Sequence, residues 1–154
     1  MHTDKLKKLG YDYSPVSVER SFKGADFHAA VKVGNLVFTS GHVSVHNGSE
    51  IRGKVGTDID LATAQKAAEY AAYNCLCAVG SVTSIENIVK VVKMNGMVNV
   101  VDGFDEISEV INGASFFIAK LFGEEQKYHA RTAVGMVLPS EWAVEIELVC
   151  EISE

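Results

Sequence analysis

Tyr128-His129-Ala130-Arg131-Thr132-Ala133-Val134-Gly135 opens a strand and sets a single cation on it. The alternation runs on to Leu138, and a second alternating stretch, Ala143 to Ile152, follows the turn residues Leu138-Pro139-Ser140-Glu141. Side chains alternate between the two faces of a strand. Thr132, Val134, Met136 and Leu138 therefore share one face, and Arg131, Ala133, Gly135 and Val137 the other. The first set is the more apolar, so it is assigned to the core, and Arg131 to the side away from it. A guanidinium beside small side chains suits a carboxylate, which it meets as a two-pronged fork. A solvated edge-strand arginine is the alternative.

The second stretch sets Val144, Ile146, Leu148, Cys150 and Ile152 against Glu145, Glu147, Val149 and Glu151. Its carboxylates are assigned to the same non-core side as Arg131. A hairpin turning at Pro139-Ser140 puts Glu145 opposite Gly135 and leaves Arg131 about 13 Å further along. That is too far for a direct pair. If both residues serve one substrate, they come from different subunits of an oligomer.

Upstream, Phe104 to Phe122 reads as a helix closed by Gly123, with Ile107, Ile111, Ala114, Ile118 and Leu121 on its buried stripe. Asn112-Gly113 interrupts that helix. An interior glycine costs about 1 kcal/mol relative to alanine, which points either to a site or to a close helix packing. Val89 to Val101 switches to a period of two, with Val92, Met94, Val98 and Val100 inward. Asp60 caps a long helix from Leu61 to about Val79, whose stripe of Leu61, Ala64, Ala68, Ala71, Cys75 and Val79 is mostly alanine and allows close approach to a sheet. Ala29 to Val33 and Leu36 to Ser40 form a hairpin around Gly34-Asn35, Val43 to Val45 continues it, and Glu50 to Lys54 returns as a third strand. Residues 3 to 9 suggest a short helix, and 11 to 26 a loop. Two helices separated by a strand, with hairpins at both ends, give an α+β sandwich: one mixed sheet with both helices on one face.

The 154 residues suit one domain, 1–154, with 1–26 as an N-terminal extension. No run is long enough to span a bilayer as a helix, and the charged N-terminus lacks the apolar segment of a secretory signal. A net charge of −6 argues against broad binding to nucleic acid backbones. Cys75, Cys77 and Cys150 have no zinc-type spacing. Cys75 and Cys150 fit apolar faces and a reducing, cytoplasmic setting; Cys77 has no basic neighbour to activate it. His42 and His46 lack a third metal ligand; His42 is assigned to a pocket or rim and His46 to a turn. His129 is either a proton donor in a cleft or an exposed residue at the start of a strand.

His129-Ala130-Arg131-Thr132-Ala133-Val134-Gly135, Leu138-Pro139 and Val144-Glu145-Ile146-Glu147 resemble the C-terminal signature of the Rid family of imine deaminases, also known as the YjgF or L-PSP family. Val33-Gly34-Asn35-Leu36-Val37-Phe38-Thr39-Ser40-Gly41-His42 resembles its N-terminal signature, and Gly53-Lys54-Val55-Gly56 with Ile111-Asn112-Gly113-Ala114-Ser115 is similar to one branch of it. The resemblance implies a chorismate-mutase-like fold and a homotrimer with ligand clefts between subunits. It implies hydrolytic deamination of small imines or enamines derived from amino acids, without cofactor or metal. In that picture Arg131 binds the substrate carboxylate and Glu145 positions or activates the attacking water. Ser40 and Gly41 line the pocket and Asn112 is the cleft asparagine. Phe27 stands where relatives often carry a tyrosine, and Ala133 where they often carry a cysteine. An endoribonuclease, as attributed to some relatives, and a non-catalytic carboxylate-binding module are the competing functions.

Overall fold

The structure, a computed structural model, describes residues 1–16 and 26–153. The expected loop over 11 to 26 therefore lies largely outside the described residues.

Helix α1 (His2–Lys8) is followed by strands β1 (Ala30–Val33) and β2 (Leu36–Thr39), a tight hairpin with Gly34 at φ 59°. Glycine accepts this left-handed turn without a Cβ penalty. Short strands β3 (His42–Val43), β4 (Val45–His46) and β5 (Ser49–Glu50) come next. Helix α2 (Leu61–Val79) starts where expected, with the Asp60 carboxylate accepting from Thr63 N at 2.8 Å. Strand β6 (Ile88–Asn99), helix α3 (Ile107–Phe122), strand β7 (Ala130–Met136) and strand β8 (Val144–Ile152) complete the order.

The main sheet runs β1-β2-β8-β6-β7, with β3 also paired to β8. β6 and β7 are parallel, joined by α3 as a crossover, and the other pairings of the main sheet are antiparallel. The expected hairpin between β7 and β8 does not form. β7 must run parallel to β6 because a whole helix returns the chain to the same end of the sheet. β8 then enters between β6 and β2, where its alternating apolar residues are covered by α2.

Both long helices lie on one face of the sheet. Ala64, Ala68, Ala71, Cys75 and Val79 of α2 are fully buried, as are Ile111, Ala114, Ile118 and Leu121 of α3. Val144, Ile146, Leu148, Cys150 and Ile152 point into this layer, each branched aliphatic side chain contributing about 1.5–3 kcal/mol on full burial. In β6, a register shift between Val91 and Lys93 puts Val91, rather than Val92, beside Met94 in the core. Gly113 resolves toward the packing alternative: a Cβ there would sit 2.2 Å from Gln65 O, so glycine is what allows α3 to rest against α2. Among the described residues no helix is long and apolar enough to cross a membrane.

Candidate functional site

β7 presents the opposite faces from those assigned by apolarity. Val98 faces Gly135, and a Cβ on Gly135 would come within 2.7 Å of Val100 Cγ2 and 2.8 Å of Ile107 Cδ1. Ala133 packs on the core, while Val134 and Met136 stay 40% exposed on the open side of the sheet. Arg131, in phase with Ala133 and Gly135, thus points to the helix side. The small residues mark where α3 presses on the edge strand. They do not leave space for a ligand at Gly135.

Helix α3 meets the guanidinium with a polar stripe. Arg131 Nη1 donates to Asn112 Oδ1 at 2.9 Å and to Ser115 Oγ at 3.1 Å. Nη2 donates to Ser108 Oγ at 2.7 Å and to Ser108 O at 3.3 Å. Ser108, Asn112 and Ser115 fall at i, i+4 and i+7, one face of the helix. That spacing is readable in the sequence as a polar stripe on a largely apolar helix, and it marks the face that meets Arg131. All these acceptors are neutral, and no carboxylate comes within ion-pair distance of Arg131 among the described residues. Nε has no partner among them, so the edge formed by Nε–H and Nη2–H is held only by Ser108, an exposed residue of the first turn. Burial, partly offset by Glu109, lowers the pKa of Arg131 from its ordinary value; its charge is not in question.

Glu145 lies on the open face, not on the side of Arg131. It pairs with Met97, which pairs with Val134, whereas Arg131 pairs with Met94. The two residues are three register positions apart (134 − 131), about 10 Å along the strand, and on opposite faces of one sheet. Burial, and after it the Glu147 charge, raise the Glu145 carboxyl above its usual range. Glu147 itself accepts from Asn95 Nδ2 at 2.6 Å. Gly41 touches Glu145: a Cβ on Gly41 would lie 2.0 Å from Glu145 Oε1. Ser40 is fixed beside it, donating from N to Ala29 O at 2.8 Å and from Oγ to His28 O at 2.6 Å. Phe27, one residue before His28, is 46% exposed.

The expected site residues thus divide into two half-sites on one chain. Arg131, Asn112 and Ala133 sit together between β7 and α3. Ser40, Gly41 and Glu145 sit together on the open face, with Phe27 close by in sequence. Among the described residues nothing brings the two sets into contact.

His42, His46 and the cysteines have other surroundings. His42 is buried with Nε2 3.4 Å from Ala29 O, and is not a rim residue. His46 is not a turn residue; it ends β4 and packs against Tyr11, Tyr70 and Tyr73 with ring centroids 4.7, 5.3 and 5.1 Å away. No group of three metal-ligating side chains exists among the described residues. Cys75, Cys77 and Cys150 are free and buried, and burial pushes the Cys150 thiol up to about 12 and the other two upward.

A mixed sheet with helices on one face, an arginine on the parallel edge strand and a glutamate on the far face of the central strand define an α+β architecture that holds the two charged groups on opposite sides of one sheet. The sequence model of the family described as Endoribonuclease L-PSP matches residues 20–152, and the chain belongs to that family. It is 38% identical to the protein Atu1372 of Agrobacterium tumefaciens, of unknown function, covering 99% of this chain and 93% of that one with a TM-score of 0.86. A putative endoribonuclease from Shewanella oneidensis shares 21% identity over 99% of both chains, also at TM-score 0.86. Escherichia coli TdcF, solved with bound serine, shares 20% identity over 91% of this chain and 94% of that one at TM-score 0.58. A 51-residue match to Protein TCP17 of Trypanosoma cruzi is 49% identical and spans 32% of each chain, about a third of that relative's length. The fold is the chorismate-mutase-like α+β fold of the YjgF/L-PSP proteins.

Proposed function

We propose that the protein hydrolyses small imines or enamines derived from amino acids, in clefts formed where the two half-sites of neighbouring subunits meet in a homotrimer. The observation that carries this reading is the guanidinium of Arg131, held by three neutral side chains with no acid partner among the described residues. A fixed cation with one edge held only by an exposed serine is preorganised for a carboxylate. The incoming carboxylate replaces Ser108 on Nη2 and adds Nε, while Asn112 and Ser115 keep Nη1 in place.

Glu145 supplies the other half. A carboxyl raised by burial is closer to the pKa of a useful general base than an exposed one. It takes a proton from water as the water oxygen bonds to the C=N carbon of the protonated imine, then passes that proton to the amine nitrogen and takes the hydroxyl proton as the C–N bond breaks. The carbinolamine thus collapses to a 2-keto acid and ammonia. Proximity supplies much of the acceleration, because a protonated imine is already electrophilic.

Association of subunits is supported by apolar side chains on the open sheet face, including Val31, Phe38, Val134 and Met136, all at least 40% exposed in the single chain. The test is a coupled assay of 2-keto acid release from freshly generated 2-aminoacrylate and other 2-imino acids, with Arg131→Ala beside the wild type. Arg131-dependent turnover is expected; equal rates with and without protein would refute the reading. The family's description favours RNA cleavage as a second reading. It would be supported by RNA degradation that survives purification to homogeneity while imine turnover is absent.

A further inference from the structure

His129 belongs to neither half-site, yet one atom joins it to Arg131. Ser115 Oγ lies 3.1 Å from Arg131 Nη1 and 3.0 Å from His129 Nε2. The direction of each bond follows by elimination. Ala130 O, 3.1 Å from Nδ1, can only accept, so Nδ1 carries the proton of the neutral ring. Nε2 is then an acceptor and takes the Ser115 hydroxyl proton, which leaves the Ser115 lone pairs to Arg131. Ser115 is only 4% exposed, so its hydroxyl has little access to water as an alternative partner. The result is an ordered chain from guanidinium to hydroxyl to imidazole to backbone carbonyl.

We infer that Ser115 and His129 are positioning residues for Arg131, and that a carboxylate docking on the guanidinium is accompanied by uptake of a proton at His129. This rests on the carboxylate-binding role proposed above for Arg131. Without ligand, an imidazolium would share one hydroxyl with a guanidinium. Burial, and beyond it the Arg131 charge, favour the neutral ring, against the pull of Ala130 O. A bound carboxylate cancels much of the guanidinium field. The Ser115 oxygen can then accept from both Nε2–H and Nη1–H, so protonation requires a turn of one hydroxyl and no broken anchor.

Other charges around the ring are few. It borders a cavity of about 390 Å³ together with Lys90 and Val91 of β6 and Glu125, Gln126 and Tyr128 of the turn before β7. Lys90 and Glu125 have opposite signs. Glu109 of α3 acts on Arg131. The group whose field changes when a carboxylate docks on the guanidinium is Arg131 itself.

Linkage gives the sign. A site that takes up a proton on binding binds more tightly as pH falls through the titration of that group. The probe is 2-oxobutanoate, whose carboxyl stays ionised throughout. Calorimetric titrations of the wild type from about pH 8 to about pH 5.5, in buffers of different ionisation enthalpy, should show affinity rising roughly three- to tenfold with net proton uptake. The His129 ring resonance should titrate at higher pH with ligand than without it. In a Glu145→Gln background, which removes the other titrating carboxyl that the proposed cleft holds, His129→Gln should give a binding curve flat in pH whatever its level, and Ser115→Ala one that is both flat and weaker. Arg131-dependent binding that is independent of pH in the wild type, an unmoved His129 midpoint, or a pH slope that survives His129→Gln in that background overturns this inference and leaves the carboxylate role standing. No Arg131-dependent binding at any pH overturns both.

Discussion

Arg131→Ala removes a side chain that the structure uses twice, and the two uses can be measured separately. The guanidinium ties β7 to α3 through Ser108, Asn112 and Ser115. Truncation leaves the partly buried acceptors on Asn112 and Ser115 without their donor, at a cost of about 1–3 kcal/mol. In a chain of this size that lowers Tm by roughly 2–4 °C per kcal/mol. Arg131→Ala should therefore lose measurable stability as well as ligand. For ligand, a charge-assisted hydrogen bond to a carboxylate contributes about 1.5–3 kcal/mol, so affinity for 2-oxobutanoate should fall by roughly ten- to over a hundredfold. Arg131→Lys keeps the charge but cannot hold Asn112, Ser115 and a carboxylate at once, so its binding should fall nearly as far. Thermal melts and calorimetric titration on the three proteins, at a temperature where all are folded, give both numbers. If Arg131→Ala melts several degrees lower yet binds as tightly as the wild type, Arg131 is a structural tie and the reasoning about the site is wrong.

Other perturbations follow from the same geometry. Glu145→Gln should lower turnover far more than it weakens binding, and unchanged turnover would remove Glu145 from water activation. Because folding raises the Glu145 pKa, the native state holds that proton more tightly, so the stability it confers at low pH is lost as pH rises through the raised value. Glu145→Gln should then raise Tm more at pH 8 than at pH 4, and an equal effect at both would contradict the assignment. Gly113→Ala pushes a Cβ to 2.2 Å from Gln65 O and should cost about 1–3 kcal/mol in denaturant melts; a neutral result would mean that the helices separate freely. Cys75 and Cys150 should react with a thiol reagent only as fast as the protein opens, since both are fully buried. Rapid labelling of the native protein would be inconsistent with these positions.

Most of the architecture was legible because its signals are local. The Asp60 cap, the alanine stripe of α2, the Gly34 turn and the alternation of β8 each act within a few residues. The faces of β7 were read wrongly for a physical reason. The open side of this sheet carries apolar residues too, so apolarity does not tell its two sides apart. What decides the faces is the smallness of Gly135 under Ile107 and of Ala133 against the core, together with Ser108, Asn112 and Ser115 on the facing helix. The β7–β8 hairpin failed because strand order depends on a crossover through α3, a pairing no short turn signal reports. Arg131 and Glu145 were both singled out from sequence, and their separation was expected, but the cause is opposite faces of the sheet rather than distance along one face.

The central claim is that Arg131 of one chain and Glu145 of another serve the same substrate. Arg131→Ala and Glu145→Gln subunits, each inactive alone, should regain activity when unfolded together and reassembled. In a randomly mixed ring each cleft draws one half-site from each neighbour, so about a quarter of the clefts carry both native residues. Imine turnover at about a quarter of the wild-type rate is the predicted result. A mixed oligomer as inactive as either parent, beside a wild type that survives the same treatment with full activity, would contradict the account.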